Sequence, residues 1–306
     1  PLEQATLMEP RDTSPNEHVQ SLTALLGEVV TYDGFFEIVE GFVNVTRATQ
    51  TGKEQTHLFA QPSICIVPQG AKVFSVMQDD LSYVEDHTNM VVYSAEVPIS
   101  FAISQASTAE PYYCLMIPLH SDRIRDLSAR VFTQGMPRSE NLKAVYINDL
   151  DVNIVKTSIR LFEVIKQQQA IDLLVPHLID EILMRLLLSP MGASIAQLGV
   201  ADSHAEKVVR AITWIKQNYF ETMTVADLAQ RSGMSVSSFH THFKSITSMS
   251  PLQYQKMVRL QQARTLLKSR IRDVSSAAYE VGYTSTSQFS REYSRAFGVA
   301  PSRDIL

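Results

Sequence analysis

Residues 228–244 read LAQRSGMSVSSFHTHFK, residues 277–294 read AAYEVGYTSTSQFSREYS, and the two stretches carry one pattern twice. Ala229 and Ala278 each stand four residues before a glycine, Gly233 and Gly282. Phe239 and Phe289 follow, and Phe243 and Tyr293 come four residues later; the offset is 49 residues up to the glycine and 50 after it. Each copy has the chemistry of two short helices joined by a tight turn. The alanine lets the helices approach, the glycine supplies the positive φ such a turn demands, and aromatics four apart bury one stripe of the second helix. The opposite face keeps hydroxyl, amide, imidazole and basic groups, which suit base edges and phosphates. Two helix-turn-helix (HTH) units are therefore expected, over 224–247 and 273–297, started by Thr224 and Asp273 as N-caps.

Between the copies, Ser250 to Lys268 opens with Pro251 and continues through Leu252, Tyr254, Met257, Val258, Leu260, Ala263, Leu266 and Leu267. This spacing predicts a helical rod of roughly 28 Å at about 1.5 Å per residue, close to one turn of B-DNA at about 34 Å. Such a rod would present two recognition helices to successive major grooves. A further packing helix is expected over Ala205–Tyr219.

Charge supports this division. From His204 onward there are 14 Lys and Arg against 7 Asp and Glu, whereas the preceding residues hold 13 against 25, so a net −5 conceals a basic third joined to an acidic two-thirds. Only the C-terminal part is suited to a polyanion. A length of 306 residues with 45% hydrophobic and 19% charged residues suits two globular domains and excludes disordered and collagenous classes. Cys65 and Cys114 form no CxxC, which fits a reducing compartment and buried thiols acting as small hydrophobes, with a redox or electrophile sensor as the alternative. The most apolar stretch, Ile171–Leu188, is interrupted by Asp172, His177, Asp180, Glu181 and Arg185, and so does not span a membrane. The opening PLEQATLMEPRD lacks the features of a signal peptide and reads as a frayed polar segment, so the expected location is cytoplasmic.

Upstream of the basic third, Glu17–Val30 reads as a short amphipathic helix. From about Phe35 to Pro118 the texture is β-branched and aromatic, in FVNVTRA (42–48), SICIVP (63–68), KVFSVM (72–77), MVVYSA (90–95), ISFAIS (99–104) and YYCLMIP (112–118). Turn clusters at 68–70 and 78–80 separate these runs, which predict an antiparallel sandwich or barrel. Helices are expected at Ser121–Phe132, at Asn153–Gln168 with Asn153 as N-cap, and at Pro176–Leu188 with Pro176 in the first turn. Ser189–Ser203 is small and polar enough to contain a linker.

The segment 205–306 resembles the tandem-HTH DNA-binding domain of the AraC/XylS transcription regulators. The resemblance is carried by LAQRSGMSVSSFHTHFKSITSMSPLQYQKMVRLQQARTLL and VGYTSTSQFSREYSRAFGVAPS. PSICIVPQG (62–70) and VPHLIDEILMRLLLSPMGASIAQL (175–198) are similar to the N-terminal domain of one subgroup. Two departures are Ser248, where the family usually has Gly, and the closing SRDIL (302–306), where the family commonly has an aromatic-Arg ending after Pro301-Ser302. The resemblance implies an α+β domain, a cupin-like antiparallel β-barrel with flanking helices, over 1–198. A linker at 199–204 would join it to an all-α tandem HTH domain at 205–306. It also implies promoter DNA as partner, a homodimer formed through the helices of 153–188, and RNA polymerase as a further contact.

Carried over residue by residue, the first recognition helix presents Ser237, His240, Thr241 and Lys244, and the second Thr286, Ser287, Gln288, Arg291 and Arg295. Arg291 is the strongest candidate for a bidentate guanine contact, with Gln288 or His240 also in reach of bases, and Lys244 and Arg295 placed for phosphate. His240 and His242, two apart, do not share a helix face and make no zinc pair. In the β domain Phe42, Cys65, Phe74, Met77, Tyr93, Phe101 and Tyr113 are candidates to line a ligand pocket, although alternating strands bury such residues anyway. Scattered His18, His57, His87, His120 and His177 match no metal pattern, so no metal, cofactor or enzymatic activity is expected. The N-terminal domain is then a small-molecule sensor or, alternatively, only a dimerisation or protein-binding module.

Overall fold

The computed structural model describes residues 16–52, 55–77, 81–139 and 142–304. Of the polar segment 1–16 expected to be frayed, residues 1–15 lie outside them, as does the turn at 78–80, whereas Asn16 is placed as a helix cap.

Helix α1 (Glu17–Val29), capped by Asn16, precedes nine strands: β1 (Gly34–Val39), β2 (Val43–Ala48), β3 (Thr56–Ala60), β4 (Ser63–Gln69), β5 (Ala71–Val76), β6 (Tyr83–Glu85), β7 (Asn89–Tyr93), β8 (Val97–Gln105) and β9 (Tyr112–Pro118). Helix α2 (Ser121–Val131), strand β10 (Val145–Asp149), α3 (Val152–Gln167), α4 (Ile171–Leu188) and the short α5 (Gly192–Ala196) complete this half. The strands form two antiparallel sheets, ordered β1-β2-β9-β4-β7-β10 and β3-β8-β5-β6.

The larger sheet is buried on both faces. On one, Val45, Ile64, Ile66, Val92, Tyr113, Leu115 and Ile117 join the core made with α1, α3 and α4. Their alternates, Cys65, Val67, Val91, Tyr93, Tyr112 and Cys114, meet Phe74, Val76 and Ile99 of the smaller sheet. Two buried faces explain why β4 and β9 read as continuous apolar runs in an antiparallel sheet, where one wet face is common.

Two helix starts differ from the sequence reading. The N-cap of α3 is Asp151, whose carboxylate accepts from the amides of Asn153 and Ile154, so Asn153 lies inside the helix. Helix α4 begins at Ile171, five residues before Pro176, and its N-cap Ala170 lies in the left-handed region with no side-chain bond. A start without a polar cap leaves no local signal, and Pro176 lies inside the helix, where it leaves the Asp172 carbonyl without its main-chain donor.

The rest of the chain is helical: α6 (His204–Gln217), α7 (Val225–Arg231), α8 (Val236–Thr247), α9 (Pro251–Lys268), α10 (Val274–Glu280) and α11 (Thr286–Phe297). The segment expected to hold the linker contains α5, whose Ile195 and Ala196 are buried. Among the described residues no helix is long and apolar enough to cross a membrane.

Candidate nucleic-acid interface and interdomain cleft

The duplicated pattern becomes two helix pairs of matching size, α7–α8 and α10–α11, with 7 and 12 residues in each. Thr224 caps α7 in a reciprocal capping box with Asp227, and Asp273 caps α10 by accepting from the Ser276 amide. Ala229, Ala278, Phe239, Phe289, Phe243 and Tyr293 are all buried. Gly233 and Gly282 have φ of 63° and 90°, as the turns require. The additional residue of the second copy lies in its turn, 281–285 against 232–235. Ser248, in the place of a family glycine, takes φ 61° as the C-cap of α8.

Burying Phe239, Phe243 and Ile246 turns Ser237, His240, Thr241 and Lys244 of α8 outward, and all four are exposed. On α11 the aromatic stripe Phe289–Tyr293–Phe297 leaves Ser287, Gln288, Arg291 and Arg295 exposed and Thr286 half-buried. Arg291, at the middle of this face, has no hydrogen bond or ion pair to any described residue, so its guanidinium remains available to a base. Gln288 and Arg295 lean to the flank. The Gln288 amide reaches Glu292 Oε1 at 3.3 Å, and Arg295 lines a cleft between the two halves of the chain. His240 and His242 diverge: His242 stacks on His204, ring centroids 3.9 Å apart, while His240 faces solvent. Partial burial and the neighbouring imidazole hold His242 below the usual histidine range.

Helix α9 supports both units. Ser250 and Gln253 form its capping box, with Pro251 in the first turn. Its buried residues include Tyr254, Met257, Val258, Leu260, Ala263 and Leu267. Two polar side chains that periodicity did not single out fix its position. Gln255 donates to the carbonyls of Tyr219 and Glu221 at 2.9 and 2.8 Å. Arg259 donates to Tyr219, Glu221 and, in the turn of the second HTH, Gly282, at 2.6, 2.9 and 3.1 Å. One guanidinium thereby ties the end of α6 to the second HTH. The only signal for these residues was a polar group on a helix whose apolar positions already surround it.

Several contacts join the halves. Tyr254 donates its hydroxyl to the Glu96 carbonyl at 2.9 Å, the Phe59 and Tyr254 rings meet edge-on, and Ser245 of α8 donates to the Leu142 carbonyl. Between them lies a cavity of about 510 Å³, walled by Val76 and Met77 on one side and by Lys256, Met257, Leu260 and Arg295 on the other. Of the seven residues expected to line a pocket, Met77 alone is on this wall. Cys65, Phe74, Tyr93 and Phe101 pack between the sheets, whereas Phe42 and Tyr113 belong to the core beneath the helices.

These features define a two-domain protein with a tandem-HTH DNA-binding module on a double-sheeted N-terminal domain. The model of the AraC-type transcriptional regulator N-terminus matches residues 41–194, and a helix-turn-helix domain model matches 228–304. The chain belongs to the AraC-type transcriptional regulators. The transcriptional activator RhaS of Yersinia pestis bv. Antiqua (strain Angola) is 29% identical over 126 residues, covering 41% of this chain and 45% of RhaS. The regulator YdeC of Bacillus subtilis is 30% identical over 105 residues, covering 34% of this chain and 35% of YdeC. The alignment thus spans under half the length of these curated relatives. In fold the chain is similar to ToxT of Vibrio cholerae O395, with a TM-score of 0.54 at 16% identity over 86% of this chain and 97% of ToxT. An unsaturated-fatty-acid-bound ToxT from strain SCE256 matches with a TM-score of 0.54 at 16% identity over 88% and 96%.

Proposed function

We propose that this regulator binds paired promoter half-sites by placing α8 and α11 in successive major grooves. The observation that carries the reading is the pair of matched HTH units fixed to the two-sided helix α9. At 18 residues α9 is about 27 Å long, near the rise of one helical turn of DNA. Arg291 of α11 contacts guanine, with His240 of α8 in reach of base edges; the hydroxyls of Ser237, Thr241, Thr286 and Ser287 contact bases or phosphate, and Lys244 meets phosphate. Gln288, whose amide reaches Glu292 within α11, is a second base-reading candidate beside Arg291, and Arg295 stands at the cleft side, from which it reaches phosphate once that side is open. Gel shifts at fixed salt on half-sites about one turn apart test the reading. Equal binding when five base pairs are inserted between them would overturn it.

The second element of the proposal is an effector seated against the N-terminal domain at the cleft edge marked by Met77. Lys256, paired with Glu292 Oε1 at 3.1 Å, and Arg295 leave a net positive charge beside Val76, Met77, Met257 and Leu260, which suits a carboxylic acid with an apolar tail. The ToxT structures hold molecules of this kind, a fatty acid and a substituted butenoic acid. Such a ligand acts by binding the two arrangements of the domains with different affinity. Long-chain carboxylic acids should raise the melting temperature of the parent protein and not of Lys256→Ala with Arg295→Ala. No shift in the parent would favour a domain that only dimerises or binds protein. Dimerisation through 153–188 is supported by Leu173, Leu174 and Leu188 of α4, all exposed. Leu173→Glu with Leu188→Glu should sediment as a monomer.

A further inference from the structure

The space between the sheets contains charge. Lys72 of β5 and Glu85 of β6 are cross-strand partners, with Nζ 2.9 Å from Oε2, and the Glu85 side chain has no solvent exposure. Cys65 from β4 and Cys114 from β9 enter the same space from the other sheet. Both are free thiols and both are buried. The two sulfurs and a Glu85 carboxylate oxygen all lie within 4.8 Å of one another. Glu85 Oε1 and the Tyr93 hydroxyl have no hydrogen-bond partner among the described residues. Tyr93 is 2% exposed and interacts electrostatically with Lys72, Glu85 and both cysteines, so its orphaned oxygen belongs to the same group.

A buried ion pair contributes little to stability against apolar residues of the same volume, and orphaned polar atoms make it costlier. Packing alone therefore does not account for two thiols, a carboxylate and a phenol converging from four strands. Their donor set does. We propose that Cys65, Cys114 and Glu85 form a binding site for a borderline-soft divalent cation of the zinc class. Zn–S bonds of about 2.3 Å place two thiolate sulfurs about 3.8 Å apart in a tetrahedral site, within the spread seen here. The sulfur ligands select such ions over magnesium or calcium.

The charges balance in both states. Without metal, Lys72 and Glu85 neutralise each other and the thiols are protonated. On binding, the two S–H bonds break, two S–metal bonds form and two protons leave to solvent. Two thiolates and Glu85 are then offset by the divalent ion and the Lys72 ammonium. A water hydrogen-bonded to the Tyr93 hydroxyl completes the fourth position. Entry is through β6, a three-residue edge strand that carries Glu85. The ligands are distant in sequence and meet only through strand pairing, so no local motif announces them.

Cobalt(II) provides the test on the full chain, kept reduced with a phosphine and stripped by chelator. One equivalent should give a sulfur-to-cobalt charge-transfer band with visible bands of tetrahedral intensity. One equivalent of zinc should bleach them, and two protons should appear per zinc bound in weakly buffered solution. Cys65→Ala with Cys114→Ala replaces buried thiols by small apolar groups and should melt cooperatively while losing the charge-transfer band. Glu85→Gln should keep the band and weaken affinity at least tenfold. Absence of the band in the reduced parent, or its survival in a folded double-alanine variant, would overturn the proposal.

Discussion

The ammonium of Lys216, on α6, lies between both carboxylate oxygens of Glu96, at 2.7 and 2.8 Å. Glu96 belongs to the turn between β7 and β8, so this contact joins the helical region to the sheets. Glu96 is mostly buried and Lys216 is partly in water, which limits the pair to about 0.5–1 kcal/mol. Glu96→Gln and Lys216→Met should each lower stability modestly, and the double variant should cost no more than the larger single change. Strict additivity in the double-mutant cycle would show that the two groups are not coupled.

Arg291 and Lys244 should separate by their salt dependence. Arg291→Ala is expected to lower operator affinity by about 1–3 kcal/mol and relax preference at one base pair. Lys244→Ala is expected to weaken all sequences alike and flatten the salt slope by about one unit. Base-scanned operators at several salt concentrations measure both. An unchanged base profile for the first, or an unchanged slope for the second, refutes that role.

The two turn glycines are unequal. A Cβ on Gly233 would meet nothing within 4 Å, so Gly233→Ala should cost only the left-handed backbone penalty, roughly 1–2 kcal/mol. A Cβ on Gly282 would fall 2.5 Å from the Phe220 carbonyl oxygen and 3.1 Å from the Arg259 guanidinium. Gly282→Ala should therefore destabilise more than Gly233→Ala and also disturb α9. Chemical denaturation of both variants decides the order.

Asp304 makes stability sensitive to acid. Burial raises its pKa, but hydrogen bonds from Arg264 and Tyr293 outweigh this and hold it below the usual carboxylate value of 3.8. The stabilisation from a depressed pKa is present above the unfolded value and disappears as pH falls through the folded one. Asp304→Asn should thus be less stable than the parent near neutrality, and the gap should close below about pH 4. Melting temperatures across pH 2.5–7, roughly the carboxylate range, would show it; a gap independent of pH would refute the assignment.

The helical third was legible because each of its signals is local. Caps, glycines and aromatic spacing in each copy fall within about twenty residues, and Thr224 and Asp273 cap as their positions foretold. Six strands, β2, β4, β5, β7, β8 and β9, were legible as apolar runs, but β1, β3, β6 and β10 were not, and neither was the pairing. Strand β10 lies beyond α2 in sequence yet pairs with β7 residue by residue, from Val145 opposite Tyr93 to Asp149 opposite Asn89. The placement of the pocket candidates was not legible for a related reason. Alternation shows that Tyr113 and Cys114 face opposite ways, but not which face lies against helices and which against a second sheet. Asp304 belongs to the SRDIL ending that departs from the family pattern, and only the folded chain brings it to Arg264 and Tyr293.

Arg259 and Gln255 anchor α9 to carbonyl groups of the main chain, which a substitution elsewhere does not change. The separation of the two recognition helices is thereby inherited as backbone geometry. Target sites recognised by such a pair can drift base by base, each change costing a fraction of the affinity. Gain or loss of a few base pairs between half-sites is a different matter, because it misaligns one helix altogether. Promoters served by this protein should accordingly vary in letters far more freely than in spacing.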